Sequence, residues 1–158
     1  MLPVVSLERV VGELEFMSDE DHMLLDKRSG ELVRLGDEDL RDAESYEDFE
    51  DLTDWRRELI AQAREVLGSD QYIELPSKFD IHEYQIMEQF IYSIESEELS
   101  DRLLRAIRGR GAFRRFKDMA SRYGAERDWY SFRAQALEEI AIEWLDDNGI
   151  PWRGVTDE

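Results

Sequence analysis

The chain has 158 residues, a formal net charge of −19, 42% hydrophobic and 11% aromatic residues, and no cysteine. That length suits one domain, which buries roughly 68–70% of its unfolded surface without a disulfide or metal, and the apolar content excludes global disorder. The missing cysteine excludes disulfides, thiolate metal sites and cysteine nucleophiles, and it fits the reducing cytoplasm, where the protein is expected.

Met1–Val5 has no basic region and no long apolar run, so no signal peptide is expected, and no apolar stretch reaches the roughly 20 residues of a membrane span. Ser6 is placed to cap a helix over about Leu7–Phe16, in which Leu7, Val10, Val11 and Leu14 recur at helical spacing. The polar run Ser18-Asp19-Glu20-Asp21 ends it. Met23–Asp26 and Glu31–Leu35, joined by Lys27-Arg28-Ser29-Gly30, predict a β-hairpin whose turn uses Gly30 at positive φ.

Gly36–Asp54 reads as an acidic loop or connection, with Tyr46, Phe49 and Leu52 its main apolar side chains after Leu40. Thr53 or Asp54 then caps a helix over about Trp55–Leu67, stopped by Gly68. Tyr72–Leu75 predicts a third strand, closed by Pro76. Asp80 and Glu83 fit a capping box for a helix through about Ile94, and Ser96 begins another through Ile107. Arg108-Gly109-Arg110-Gly111 breaks the pattern. Helices over Ala112–Tyr123 and Asp128–Asp147 follow, stopped by Gly124 and by Asn148-Gly149. The expected fold is α+β: a small three-stranded antiparallel sheet (hairpin plus one strand) packed with about six helices, the C-terminal half all helical. It is read as a single domain over 1–158, with a hairpin-containing part (1–76), a helical part (77–150) and a tail (151–158).

Charge is distributed unevenly. Between Arg102 and Arg127 nine basic residues face only Asp118 and Glu126, a net of +7, which leaves −26 for the rest. The total charge repels bare phosphate backbones and argues against a generic nucleic-acid binder; the local asymmetry points to a partner-binding segment.

The second half carries a resemblance. Tyr72-Ile73-Glu74-Leu75-Pro76-Ser77-Lys78-Phe79-Asp80-Ile81-His82-Glu83-Tyr84 and Ala106-Ile107-Arg108-Gly109-Arg110-Gly111-Ala112-Phe113-Arg114-Arg115-Phe116-Lys117-Asp118 resemble the signatures of uncharacterised protein family 0158, a bacterial family. Trp129-Tyr130-x-Phe132-Arg133 and Glu143-Trp144-Leu145-x-x-Asn148-Gly149-Ile150 are similar too, and the N-terminal helix and Leu25-Asp26 hairpin fit more loosely. The resemblance implies no activity and supplies no catalytic residue or cofactor.

The candidate site is therefore built from the residues. A glycine-flanked turn leading into a helix exposes backbone amides at the positive end of the helix dipole, and arginine forks match phosphate or carboxylate. Arg108, Gly109, Arg110, Gly111, Arg114 and Arg115 are the candidate anion-binding set, with Phe113 and Phe116 expected to face the core; Lys78, His82 and Lys117 are secondary candidates. Set against this, 39 acidic residues could neutralise the same arginines internally. No Walker loop, zinc spacing or calcium loop is present, so no metal or cofactor is expected. The leading expectation is a non-enzymatic binding or regulatory protein for an anionic partner: nucleic acid, nucleotide or acidic protein surface. The alternatives are an adaptor or inhibitor acting through Asp19–Asp21, Asp37–Asp39, Glu47-Asp48 and Glu50-Asp51, and an enzyme on an anionic substrate with His82 or Glu83 as acid–base. Among the C-terminal aromatics, Trp152 is expected to be the least buried.

Overall fold

The computed structural model describes residues 2–45 and 52–154. Tyr46, Phe49 and the pairs Glu47-Asp48 and Glu50-Asp51 lie outside the described residues. The chain packs as two compact units, residues 1–80 with 141–158, and residues 81–140.

The first unit begins with a two-residue strand, β1 (Val5–Ser6). Ser6 then caps α1 (Leu7–Glu15), its hydroxyl accepting from the Arg9 amide, and Leu7, Val10 and Leu14 form the buried stripe that the spacing predicts. β2 (Asp21–Asp26) and β3 (Leu32–Gly36) make the hairpin, antiparallel from Leu25 opposite Leu32 to Asp21 opposite Gly36. Gly30 takes φ +77 in the turn, and its amide donates to the Asp26 carbonyl at 2.8 Å. β4 (Tyr72–Glu74) adds antiparallel to the other side of β2, giving the order β3-β2-β4. The α+β architecture is as expected.

The acidic stretch after β3 is a helix rather than a loop: α2 spans Asp37–Glu44. Local and tertiary causes combine. Asp37, Glu38 and Asp39 occupy its first turn, where the helix dipole favours negative charge, and the Asp39 carboxylate accepts from the Gly36 amide at 3.0 Å. Leu40 and Ala43 pack on the cluster of Leu35, Ala63 and Val66. Arg56 of α3 (Asp54–Leu67) reaches back to Asp39 and Asp42. Leu35 and Ala63 are fully buried there, a loss of apolar surface worth about 1.5–3 kcal/mol for a leucine.

The predicted Asp80–Ile94 helix is divided. α4 (Lys78–Ile81) is capped by a reciprocal pair one turn earlier than expected: the Asp80 amide donates to the Ser77 hydroxyl at 3.1 Å, and the Ser77 amide to the Asp80 carboxylate at 3.0 Å. His82, at φ +57, separates it from α5 (Glu83–Ser93). Glu83 is withdrawn from any cap because Arg133 holds it.

The second unit consists of α5, α6 (Glu97–Ala106), α7 (Ala112–Arg122) and the greater part of α8 (Glu126–Asp147). Ser96 caps α6 through the Leu99 amide. The core is aromatic. Phe116 meets Trp129 edge-on with ring centroids 4.9 Å apart, and Phe90 lies 5.5 Å from both Trp129 and Phe132, a spacing that adds about 0.5–1.5 kcal/mol per pair beyond burial. Gly124 (φ +71) closes α7, and the Ala125 amide returns to the Ala120 carbonyl at 2.8 Å.

Beyond α8, within the first unit, β5 (Trp152–Arg153) pairs in parallel with β1. Trp152 is consequently half-buried, its indole N–H donating to Asp146 at 2.9 Å; Tyr130, half exposed on α8, is the less buried aromatic.

Candidate anion-binding site

The segment singled out from the sequence lies wholly in the second unit, at the connection between α6 and α7. Two glycines set its path. Gly109 (φ +78) and Gly111 (φ +75) both occupy the left-handed region, which costs a side-chain-bearing residue roughly 1–2 kcal/mol. A Cβ on Gly111 would also stand 3.1 Å from the Arg115 guanidinium.

That guanidinium holds the loop closed. Arg115 Nε donates to the Ala106 carbonyl at 2.8 Å, Nη1 to Arg110 at 2.5 Å and Nη2 to Arg108 at 2.5 Å. From α5, the Tyr84 hydroxyl donates to the Ile107 carbonyl at 3.1 Å. Four consecutive or near-consecutive carbonyl oxygens, the negative end of α6 included, are thereby covered by donors. Arg115, expected to point outward to a ligand, is instead committed to the loop, because its fork matches carbonyls that a tight double-glycine turn gathers on one side.

The other cations of the segment are differently placed. Arg108, Arg110 and Arg114 are exposed. Among the described residues, no carboxylate lies within 4.0 Å of Arg105, Arg108, Arg110, Arg114, Lys117, Arg122 or Arg127; within Arg102–Arg127 the one ion pair is Arg102–Glu98, at 2.8 Å. α7 starts without a side-chain cap and without an acidic residue in its first turn. Phe116 is buried, but Phe113 is 38% exposed, with Lys117 Nζ 4.8 Å above its ring. Phe113 therefore belongs to the cationic surface and not to the core.

Of the secondary candidates, Lys117 belongs to α7 beside Phe113, while Lys78 and His82 stay apart from this loop in sequence. Lys78 is exposed at the start of α4 in the first unit, and His82 is exposed at the turn before α5 in the second. Glu83 accepts from Arg133 Nε at 2.8 Å, and the other carboxylate oxygen is buried without a partner. Among the described residues no three His, Asp or Glu side chains could hold one metal ion, and no helix is long and apolar enough to cross a membrane.

The first unit contains a charged cluster of another kind. His22 on β2 stands between two carboxylates, with Nδ1 2.5 Å from Glu74 on β4 and Nε2 on Asp37 at the start of α2. The Glu74 hydrogen bond, aided by Asp37, holds the imidazole above its ordinary value of 6.5. Asp37 and Asp39 are thus engaged within the fold, by His22 and by Arg56. Sequence reasoning missed both Tyr84 and this histidine, since their partners are 23, 15 and 52 residues away.

The fold and loop define a small α+β protein with a pinned, arginine-bearing helix–helix turn. The chain belongs to uncharacterised protein family UPF0158, whose family model matches residues 1–155. It is similar to UPF0158 protein PA5073 of Pseudomonas aeruginosa, 32% identical over 66 residues. That alignment covers 41% of this chain and 43% of the relative, so less than half of the relative's length is matched. No solved structure matches.

Proposed function

We propose that this protein is a binding or regulatory protein that recognises an anionic partner through Arg108, Arg110 and Arg114 at the α6–α7 turn. One observation carries the reading: the carbonyls of the turn are covered by Arg115 and Tyr84, while the neighbouring guanidiniums have no carboxylate partner among the described residues. A surface from which the negative backbone ends have been removed, and at which the positive ends remain, favours an anion. The adaptor reading through Asp37–Asp39 has less support, because those carboxylates already hold His22 and Arg56. Catalysis by Glu83 is opposed by its engagement with Arg133.

The test compares wild type with Arg110→Ala and Arg114→Ala against RNA, DNA, nucleotides and an acidic peptide at two salt concentrations. The reading expects salt-sensitive binding to at least one of these, weakened in both variants. Binding of none by wild type refutes it.

A further inference from the structure

Independently of the anion site, we infer that His22 is a proton-operated clasp on α2: charged, it ties both the start of that helix and the strand β4 to β2, and neutral, it keeps the strand and releases the helix. The sheet sets the placement. His22 stands opposite Leu35 on β3, and Glu74 stands opposite Leu24 on β2. Residues opposite one another, or two apart on a strand, share a face, so the imidazole and the Glu74 carboxylate lie on the face that carries Leu24 and Leu35. Leu40 and Ala43 of α2 pack against the same cluster. The helix begins at Asp37, directly after β3, and its first carboxylate meets Nε2 while Glu74 meets Nδ1 at 2.5 Å.

An imidazolium donates from both nitrogens; a neutral imidazole donates from one and presents a lone pair at the other. Both carboxylates are therefore partnered only while the ring is charged. Among the described residues, His22 is the one basic group within 4.0 Å of Asp37 or Glu74. The other charges nearby are acidic or already engaged. From α3, Arg56 holds Asp39 and Asp42 and lies 3.8 Å from Glu38. Glu20, just before β2, is exposed. On the opposite face of β2, Asp21 lies 3.8 Å from Arg34, which also meets Glu13 of α1.

The two tied elements differ in what else holds them. Glu74 sits in a strand bonded to β2 through the backbone, with the Leu75 amide donating to the Met23 carbonyl at 2.8 Å. No residue of α2 is fully buried, and its start is otherwise held by the Asp37 amide on the Glu20 carbonyl at 2.9 Å. In the neutral ring the one proton stays with Glu74. The lone pair then faces the Asp37 carboxylate, acceptor against acceptor, and the first turn of α2 loosens. The Glu74 hydrogen bond, aided by Asp37, keeps the imidazole above 6.5, so loosening comes as pH rises through that raised value.

The experiment uses the full chain in solution. Ring-nitrogen resonances of His22 report its charge, and amide exchange, taken relative to the intrinsic rate at each pH, reports the hold on α2. In wild type, protection at Asp37 and residues 41–44 is expected to fall about five-fold in step with loss of the His22 proton, the size expected for one charge-assisted bond of a partly exposed pair, while Leu75 is unchanged. In His22→Gln the step is absent. Asp37→Asn is the second variant: its side-chain amide accepts from an N–H or donates to a lone pair, so α2 stays held at either charge of the ring and the step is again absent. Protection of α2 that stays flat through the wild-type titration overturns the clasp, as does the same fall in His22→Gln or Asp37→Asn. A fall at Leu75 in place of α2 overturns it too, since the strand and not the helix is then what the neutral ring lets go.

Discussion

The first unit and the α6–α7 turn of the second handle charge in opposite ways. In the first unit, which carries −18 of the total −19, cations are used as internal ties. Arg56 joins α2 to α3 through Asp39 and Asp42, Arg34 meets Glu13 at 2.8 Å, Arg28 meets Asp26 at 3.0 Å, and His22 joins β2 to β4 and α2. In the second unit the charges nearly balance and Arg133 ties α8 to α5 through Glu83, yet the arginines of the α6–α7 turn are left without carboxylates among the described residues, and Arg115 of that turn is spent on carbonyls. An excess of acid does not by itself neutralise arginines. Placement decides: Arg133 and Arg102 of the second unit pair with Glu83 and Glu98, while Arg108, Arg110 and Arg114 at the double-glycine turn have no carboxylate within 4.0 Å among the described residues.

Substitutions sharpen that contrast, and the largest effect belongs to neither set of charges. Phe116→Ala removes a fully buried ring from the aromatic core of the second unit and is expected to cost about 3–5 kcal/mol, read by urea unfolding. Next comes Arg56→Ala. Arg56 and Asp39 are both largely buried, and removing the arginine leaves two carboxylates facing one another at α2, for an expected loss of about 1–3 kcal/mol. Arg115→Ala strips three carbonyls of their donor, but the site is exposed and water replaces much of the loss; about 1 kcal/mol is expected, with faster amide exchange over Gly109–Ala112 as its signature. Arg110→Ala and Arg114→Ala are expected to stay within about 0.5 kcal/mol of wild type, since neither side chain has an ion-pair partner among the described residues.

The histidine tie gives a pH test with a defined sign. His22 is raised above 6.5 in the folded chain, so its contribution is fully present below the unfolded value and is lost as pH rises through the raised one. The general repulsion of an acidic chain also grows with pH. The expected outcome is therefore a difference: between mildly acidic and mildly alkaline pH, wild type loses more stability than His22→Gln, measured as unfolding midpoints in parallel. Equal losses contradict the tie.

Much of this was legible in the sequence, and the exceptions have physical causes. α1, the hairpin, α3, α6, α7 and α8 follow from periodicity and caps, because their buried stripes are long enough to repeat. α2 was unreadable as a helix: its apolar contribution is Leu40 and Ala43, and its hold on the fold comes from Arg56, twelve residues past its end. The cap at Ser77–Asp80 was misplaced by three residues because Asp80–Glu83 offers the same pattern one turn later. β1 and β5 are two residues each, below anything alternation can reveal. At the site, sequence located the arginines and the glycine break. It could not divide them into one loop staple and three exposed forks, since that depends on where the turn carries its carbonyls.

The central claim is that the α6–α7 turn of the second unit is an anion site while the acidic first unit is not. The most direct measurement is a pyrophosphate titration followed residue by residue through backbone amide resonances. The account predicts saturable shifts concentrated at Gly109–Arg115, abolished by the double substitution Arg110→Ala/Arg114→Ala, with the amides around His22 and Arg56 unmoved. Shifts spread evenly over both units, or shifts that persist in the double variant, would contradict it.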